Sequence, residues 1–178
     1  MDSINKNQSE KNHEDLNGNE ADEKMKELIE KNKSCFFRTG QAIGESEGVR
    51  PMSVQKIDED AVLWFLSPTD SHKNNELAID PEVHLYFQGS AHSDFLYLKG
   101  TASLSSDKTK IKELWEPLLK TWFTEGENDP RISVIKVIPD NGYYWDTKHG
   151  NAIAAVKMMF GAVVGNTFDD STEGRVSL

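Results

Sequence analysis

At 178 residues the chain has the length of one domain with room for a packed core, and four Trp and eight Phe supply large apolar side chains for it. A formal net charge of −10 argues against the basic stripe of a nucleic-acid surface, and the lone Cys35 excludes a disulfide framework or a cysteine-rich metal site. No apolar run is long enough to span a bilayer and the N-terminus is polar where a signal peptide is apolar, so a cytoplasmic protein without membrane or nucleic-acid partners is expected.

In chain order, residues 1–21 are rich in Asn, Glu, Asp and Lys with almost no apolar content, which predicts a flexible tail before a single domain at 22–178. From Asp22 to about Ser34, Met25, Leu28 and Ile29 fall at helical spacing, with acidic residues leading and lysines trailing as the helix dipole favours. Cys35 to Arg38 reads as a strand, in which Cys35 is a buried, inert thiol. Ala42-Ile43 reads as a weak strand edge within the Gly40–Gly48 stretch. Val49–Ile57 and Ala61–Ser67 read as a hairpin around the acidic corner Asp58-Glu59-Asp60, and Pro51 marks its first strand as an edge or as ligand-facing. A short helix is expected from Asn74 to Asp80, then strands at Val83–Phe87 and Phe95–Leu104.

Ser106-Asp107 has the character of an N-cap, and Ile111, Leu114, Trp115, Leu118 and Leu119 form a helical face that Pro117 bends or breaks. Trp122-Phe123 to Asp129-Pro130 reads as a loop, Ile132 to Ile138 as a strand, and Pro139-Asp-Asn-Gly142 as a turn into Tyr143-Tyr-Trp145. The Ala-, Met- and Val-rich run from Asn151 to Val164 predicts a last helix. Six or seven strands joined mostly by tight turns give a mainly β fold with peripheral helices, mostly antiparallel, in the form of a small barrel.

The stretch Val49–Lys73 carries most of the chemistry. Arg50, Ser67, Ser71, His72 and Lys73 converge if the hairpin forms, and cations beside hydroxyl and backbone donors suit a phosphate. An ordinary hairpin with a solvated loop accounts for the same residues, and both readings stay open at this level. No P-loop, dinucleotide loop, nucleophile elbow or His-Glu-x-x-His motif is present, and the five His fit no metal spacing. Trp64 and Trp115 read as core residues; Trp122 and Trp145 either pack likewise or flank a planar ligand such as a flavin.

Arg50-Pro51-Met52, Leu63-Trp64-Phe65, Lys73, Asp80-Pro81-Glu82-Val83 and Lys99-Gly100-Thr101-Ala102 stand in an order that resembles the flavin-binding split barrels related to pyridoxamine phosphate oxidase. Leu114-Trp115-x-Pro117, Trp122-Phe123-x-x-Gly126-x-x-Asp129-Pro130 and Tyr144-Trp145-Asp146 narrow the resemblance to the general stress protein branch, over roughly Glu23 to Leu178. The resemblance implies a split β-barrel homodimer with FMN at the subunit interface. By position it implies that Arg50, Pro51, Met52, Ser53, Val54 and Gln55 line the flavin, with Arg50 toward the phosphate. It places Leu66 and Ser67 against the ring or ribityl chain, and His72 and Lys73 on the phosphate. Trp145, and Trp122 with it, would approach from the partner subunit.

Two departures bear on activity. The oxidases carry Lys where this chain has Gln55, and an Arg-x-His-Asp segment after the Trp matching Trp145, where this chain has Asp-Thr-Lys-His-Gly-Asn. The resemblance therefore implies flavin chemistry, as an oxidoreductase or flavin reductase, without vitamin B6 specificity. A non-enzymatic carrier of FMN, haem or a deazaflavin, and a structural dimer with an empty pocket, are the rival expectations. His72 stands where the oxidases usually have Arg, which lowers the charge available to the phosphate near neutral pH.

Overall fold

Strand residues alternate between a packed and an open face, and burial along most of this chain follows that period. The computed structural model describes residues 12–43, 48–91, 93–148 and 170–178. Among them are nine strands in one sheet, and three α-helices. The strands are β1 (Leu16–Asn17), β2 (Ser34–Thr39), β3 (Val49–Ser53), β4 (Lys56–Ile57), β5 (Leu63–Pro68), β6 (Glu82–Gln88), β7 (Phe95–Ser105), β8 (Ile132–Thr147) and β9 (Ser171–Ser177). The helices are α1 (Asn19–Lys31), α2 (His72–Ile79) and α3 (Lys108–Leu114). No helix among the described residues is long and apolar enough to cross a membrane.

The main path runs β1-β9-β8-β7-β6-β2-β3, antiparallel except for the β1–β9 pair. β5 joins the first half of β8, and β4 joins β5. Because β3 and β4 are successive parts of one run, the sheet returns on itself: Val54 N–H donates to Lys33 O (2.9 Å) and Gln55 N–H to Trp64 O (2.8 Å). That closure makes a mainly antiparallel barrel with helices outside it, as expected. Phe37 and Phe65 meet edge to face in its core (5.4 Å between centroids), among Leu63, Leu85, Leu98 and Val137. α1 adds Ala21, Met25, Leu28 and Ile29 to the same core. Its Lys31 reaches the buried Asp94 (2.6 Å), and its Lys24 the buried Asp146.

A second cluster forms where Ile111 and Leu114 of α3 pack with Phe123 on Leu66, Ile132 and Val134. Asp107 caps α3, accepting from the N–H of Thr109 (2.8 Å) and Lys110 (3.3 Å). The helix stops at Leu114 because Trp115 and Glu116 are extended ahead of Pro117, the conformation a following proline favours; a 3₁₀ turn, Pro117–Thr121, follows.

Several expectations need correcting. Val49–Ile57 does not pair as a unit with Ala61–Ser67: β3 pairs with β2, and only Lys56 and Ile57 pair with β5. The acidic corner is the turn expected, with Asp58 accepting from Val62 N–H (2.9 Å) and the Trp64 indole (3.0 Å). Ala42-Ile43 forms no strand. Residues 12–21, expected in the tail, include β1 and the start of α1: Leu16 pairs with Val176 and packs against the core, Glu14 N–H donates to Glu173 O (2.9 Å), and Ala21 is buried. Residues 1–11 and the helix expected at 151–164 lie outside the described residues.

Pro139–Gly142 is not a turn. β8 runs through it, and a bulge opposite Lys99 and Gly100 accommodates the proline, where its missing N–H disturbs the ladder least. Gly142 lies so close to the neighbouring strand that a Cβ there would sit 2.1 Å from Tyr97 O. Gly142→Ala is therefore expected to lower stability by about 1–3 kcal/mol, the usual range for overpacking, measured by urea unfolding. A parent-like midpoint would show that β7 and β8 separate there without cost.

Candidate functional site

The site is built where β5 ends and α2 begins. Ser67 pairs with Ser133 of β8, the chain turns at Pro68–Asp70, and Ser71 caps α2, its hydroxyl accepting from Asn74 N–H (3.3 Å). Lys73 lies in the first turn of the helix and is 5% exposed. Its ammonium donates to Ser67 Oγ at 2.7 Å, with no carboxylate within ion-pair distance among the described residues. Ser67 Oγ lies 3.0 Å from Asn74 Oδ1, Asn74 Nδ2 donates to Ser133 Oγ (2.7 Å), and Ser133 Oγ donates to Ser67 O (2.8 Å). Each group in this ring fixes the next, so the hydroxyl facing Lys73 has a set orientation. Burial, and then the nearby Arg50 charge, push the Lys73 ammonium down to about 8, against the opposing pull of Glu76.

A second cluster lies beside the first on the same helix. Glu76 is fully buried and binds Arg50 of β3 through both oxygens, Nη1 to Oε2 at 2.6 Å and Nη2 to Oε1 at 3.0 Å. Thr39 Oγ1 donates to Oε2 (2.6 Å) and Ile43 N–H to Oε1 (2.8 Å). Burial alone would raise this carboxyl; the hydrogen bonds from Arg50, Thr39 and Ile43 outweigh it and hold Glu76 at about 2. His72, exposed at the helix start, has Nδ1 at 3.0 Å from Ile43 O. Both main-chain polar groups of Ile43 are thus bound by α2 side chains.

Of the residues singled out from sequence, Ser67, Ser71 and Lys73 are in one hydrogen-bonded group, with Arg50 joined to it through α2 by Glu76 and His72 through Ile43. The hairpin imagined for this convergence is not what produces it; α2 is. Pro51 is exposed on β3 opposite Phe36, and Ser53 is exposed opposite Ser34. Met52 packs on the barrel core, Val54 is buried in it, and Leu66 is buried in the second cluster. Gln55 turns back on its own strand, Nε2 donating to Ser53 O (3.0 Å).

Trp122 is 60% exposed beyond the 3₁₀ turn, and Trp145 is 43% exposed at the far end of β8 from Ser133, its ring tilted 45° against that of Tyr143 (4.6 Å between centroids). Neither joins the Lys73 cluster within one chain. Glu76, Thr39, Asn74 and Ser133 were not singled out. Glu76 had one legible sign, its place one turn from Lys73 on the helix face. Also unforeseen is an outward row in register across the sheet: Pro51, Phe36, Tyr86, Tyr97 and Tyr143.

The profile of the family described as pyridoxamine 5′-phosphate oxidase-like matches residues 20–169. Protein bli-3 of Neurospora crassa is 31% identical over 90 residues, covering 46% of this chain and 43% of that protein, so the match spans less than half of the relative. Among solved structures, a Jannaschia sp. CCS1 protein assigned to general stress protein 26 superposes with a TM-score of 0.73 at 21% identity, over 88% of this chain and 97% of that one. The general stress FMN/FAD-binding protein of Xanthomonas citri gives 0.60 at 21% identity, over 70% and 87%. At such identities the likeness establishes the fold, a split barrel.

The Glu76 carboxyl, held near 2 against an ordinary 4.5, makes a stability contribution that is fully present above about pH 4.5 and lost as pH falls toward 2. Urea unfolding as a function of pH should show the parent losing more stability across that window than Glu76→Gln. Parallel curves would contradict this account of the pair.

Proposed function

The chain belongs to the pyridoxamine 5′-phosphate oxidase-like family, and on that premise we propose that it binds FMN, with the flavin phosphate at Lys73. The carrying observation is the near-complete burial of a lysine whose ammonium, among the described residues, has the Ser67 hydroxyl as its one hydrogen-bond partner. The two N–H donors not given to Ser67 and a desolvated charge favour an anion with several acceptor oxygens, which a phosphate ester supplies. Ser71 and the helix start add donors of the same polarity. The name of the Xanthomonas citri relative supports a flavin, and a general stress role accords with both structural relatives.

Bound there, FMN supplies the electron-transfer chemistry. The chain's residues supply anchoring and orientation: the Ser67–Asn74–Ser133 ring sets Lys73, and β3 offers Pro51, Met52 and Ser53 along one edge. Gln55, turned onto its own main chain, offers no cation to a B6 phosphate, so an oxidoreductase or flavin reductase without that specificity fits best. Trp145 is remote from its own Lys73 and reaches one only from a second copy; the outward aromatic row, with Phe36 61% exposed, provides apolar surface for such a homodimer. A flavin carrier without turnover is the second reading, favoured by the saturation of Ser67, Asn74 and Ser133 with one another, which suits holding a ligand more than moving protons. A cytoplasmic site of action goes with either.

FMN titration followed by flavin absorbance and fluorescence should show saturable binding, and Lys73→Ala should weaken it about ten- to a hundredfold, the worth of one hydrogen bond to a charged group. Absent binding, or a Lys73→Ala variant equal to the parent, would overturn the assignment. Bleaching of the bound flavin by NADH or NADPH separates the oxidoreductase from the carrier.

A further inference from the structure

We propose that Glu76 is a built-in rival of the ligand's phosphate for Arg50: a positioning residue that stabilises the fold while weakening anion binding at Lys73. It rests on the reading that the phosphate sits at Lys73, and adds to it how the site's affinity is set.

Lys73 and Glu76 are one turn apart on α2 and share a face of that helix. Two cations, Lys73 and Arg50, lie close enough for the charge of one to depress the other, and the buried carboxylate of Glu76 acts on both. That carboxylate takes Arg50 in the two-pronged geometry that a guanidinium offers equally to a carboxylate or a phosphate. A phosphate that takes the Nη1–Nη2 edge of Arg50 therefore takes it from Glu76, and Nη1 must also leave Gly48 O (3.1 Å) and Thr39 Oγ1 (3.3 Å). Glu76 does not let go easily, since Thr39 and Ile43 donate to the same two oxygens and hold it in place whether or not Arg50 is present. Phosphate entry becomes an exchange of partners instead of the formation of a new ion pair, opposed in addition by the fixed negative charge of Glu76. A residue that ties β3, Thr39 and Ile43 to α2 at once thereby also favours release of the anion.

The consequence is a pair of effects with opposite signs. Glu76→Gln keeps the size of the side chain, removes its charge and one of its two acceptor oxygens, and so loosens its hold on Arg50, while Gly48 O and Thr39 Oγ1 keep theirs. The variant is expected to melt at a lower temperature than the parent yet to bind inorganic phosphate and FMN about tenfold more tightly, measured by calorimetry and flavin fluorescence. A purely structural residue would lower both. A folded Glu76→Gln protein with unchanged or weaker affinity overturns the proposal.

Should that variant fail to fold, the parent itself decides. The guanidinium ¹⁵N signals of Arg50, assigned by comparison with Arg50→Lys, are expected to shift saturably as inorganic phosphate is added. Signals that stay fixed while phosphate binds mean that Glu76 keeps Arg50 and no exchange occurs. The two levels of inference fail differently. Loss of any effect of Lys73→Ala removes the phosphate site itself, and this proposal with it. A weakened Lys73→Ala beside a Glu76→Gln that does not tighten removes the rivalry alone.

Discussion

A lysine ammonium taken out of water loses hydration that only directional acceptors or an opposite charge can replace, and at Lys73 the described chain supplies a single serine hydroxyl. Much of the surrounding architecture follows from keeping that arrangement in place. The antiparallel register of β5 on β8 sets Ser67 beside Ser133; the Pro68–Ser71 turn starts α2 within reach of both; Asn74, one residue beyond Lys73, ties the two serines together. A hydroxyl cannot neutralise a charge, so the ammonium sits near 8, close to the point at which it would shed its proton. Stability and ligand readiness pull against each other here, as is common at binding sites.

The neighbouring cation has the opposite fate. Arg50 is on the strand that the family resemblance places against the flavin, yet its guanidinium faces Glu76. The difference between the two lies in which element carries the acceptor. α2 directs Glu76 toward β3 and the Thr39–Ile43 corner, and Lys73 toward β5, so one helix organises both cations and gives the carboxylate to only one of them. The barrel supports this division because β3 and β4 are one run that bridges β2 and β5, holding Arg50 and Ser67 on either side of α2.

How much of this was legible in sequence varied with how local the cause was. Met25, Leu28 and Ile29 announced α1, Asp107 its cap on α3, and the alternation of Val83–Phe87 its strand, because each signal is contained in a few neighbouring residues. The division of Val49–Ile57 between two partners was not legible, since strand pairing is decided by the whole sheet. Pro139 misled for the same reason: a Pro-Asp-Asn-Gly run reads as a turn until β7 is known to offer Gly100 opposite it. Residues 12–17 carry one apolar side chain, Leu16, and looked disordered; they pair through the main chain with β9, a strand that the mostly polar sequence Ser171–Ser177 did not suggest, and Leu16 packs against the core. At the site, Lys73 and Ser67 stood out as a cation and a hydroxyl close in sequence, and the resemblance gave that pair a ligand. Glu76 was missed because its meaning depends on Arg50, distant in sequence and adjacent in space.

The most direct test of the buried cation is the proton that accompanies its ligand. FMN titrated calorimetrically near pH 9, in two buffers of different ionisation enthalpy, should be bound with uptake approaching one proton, because an adjacent phosphate returns Lys73 to its charged form. The uptake should vanish in Lys73→Ala. Binding by the parent without proton uptake would contradict the account, since it would mean that the anion does not meet this ammonium.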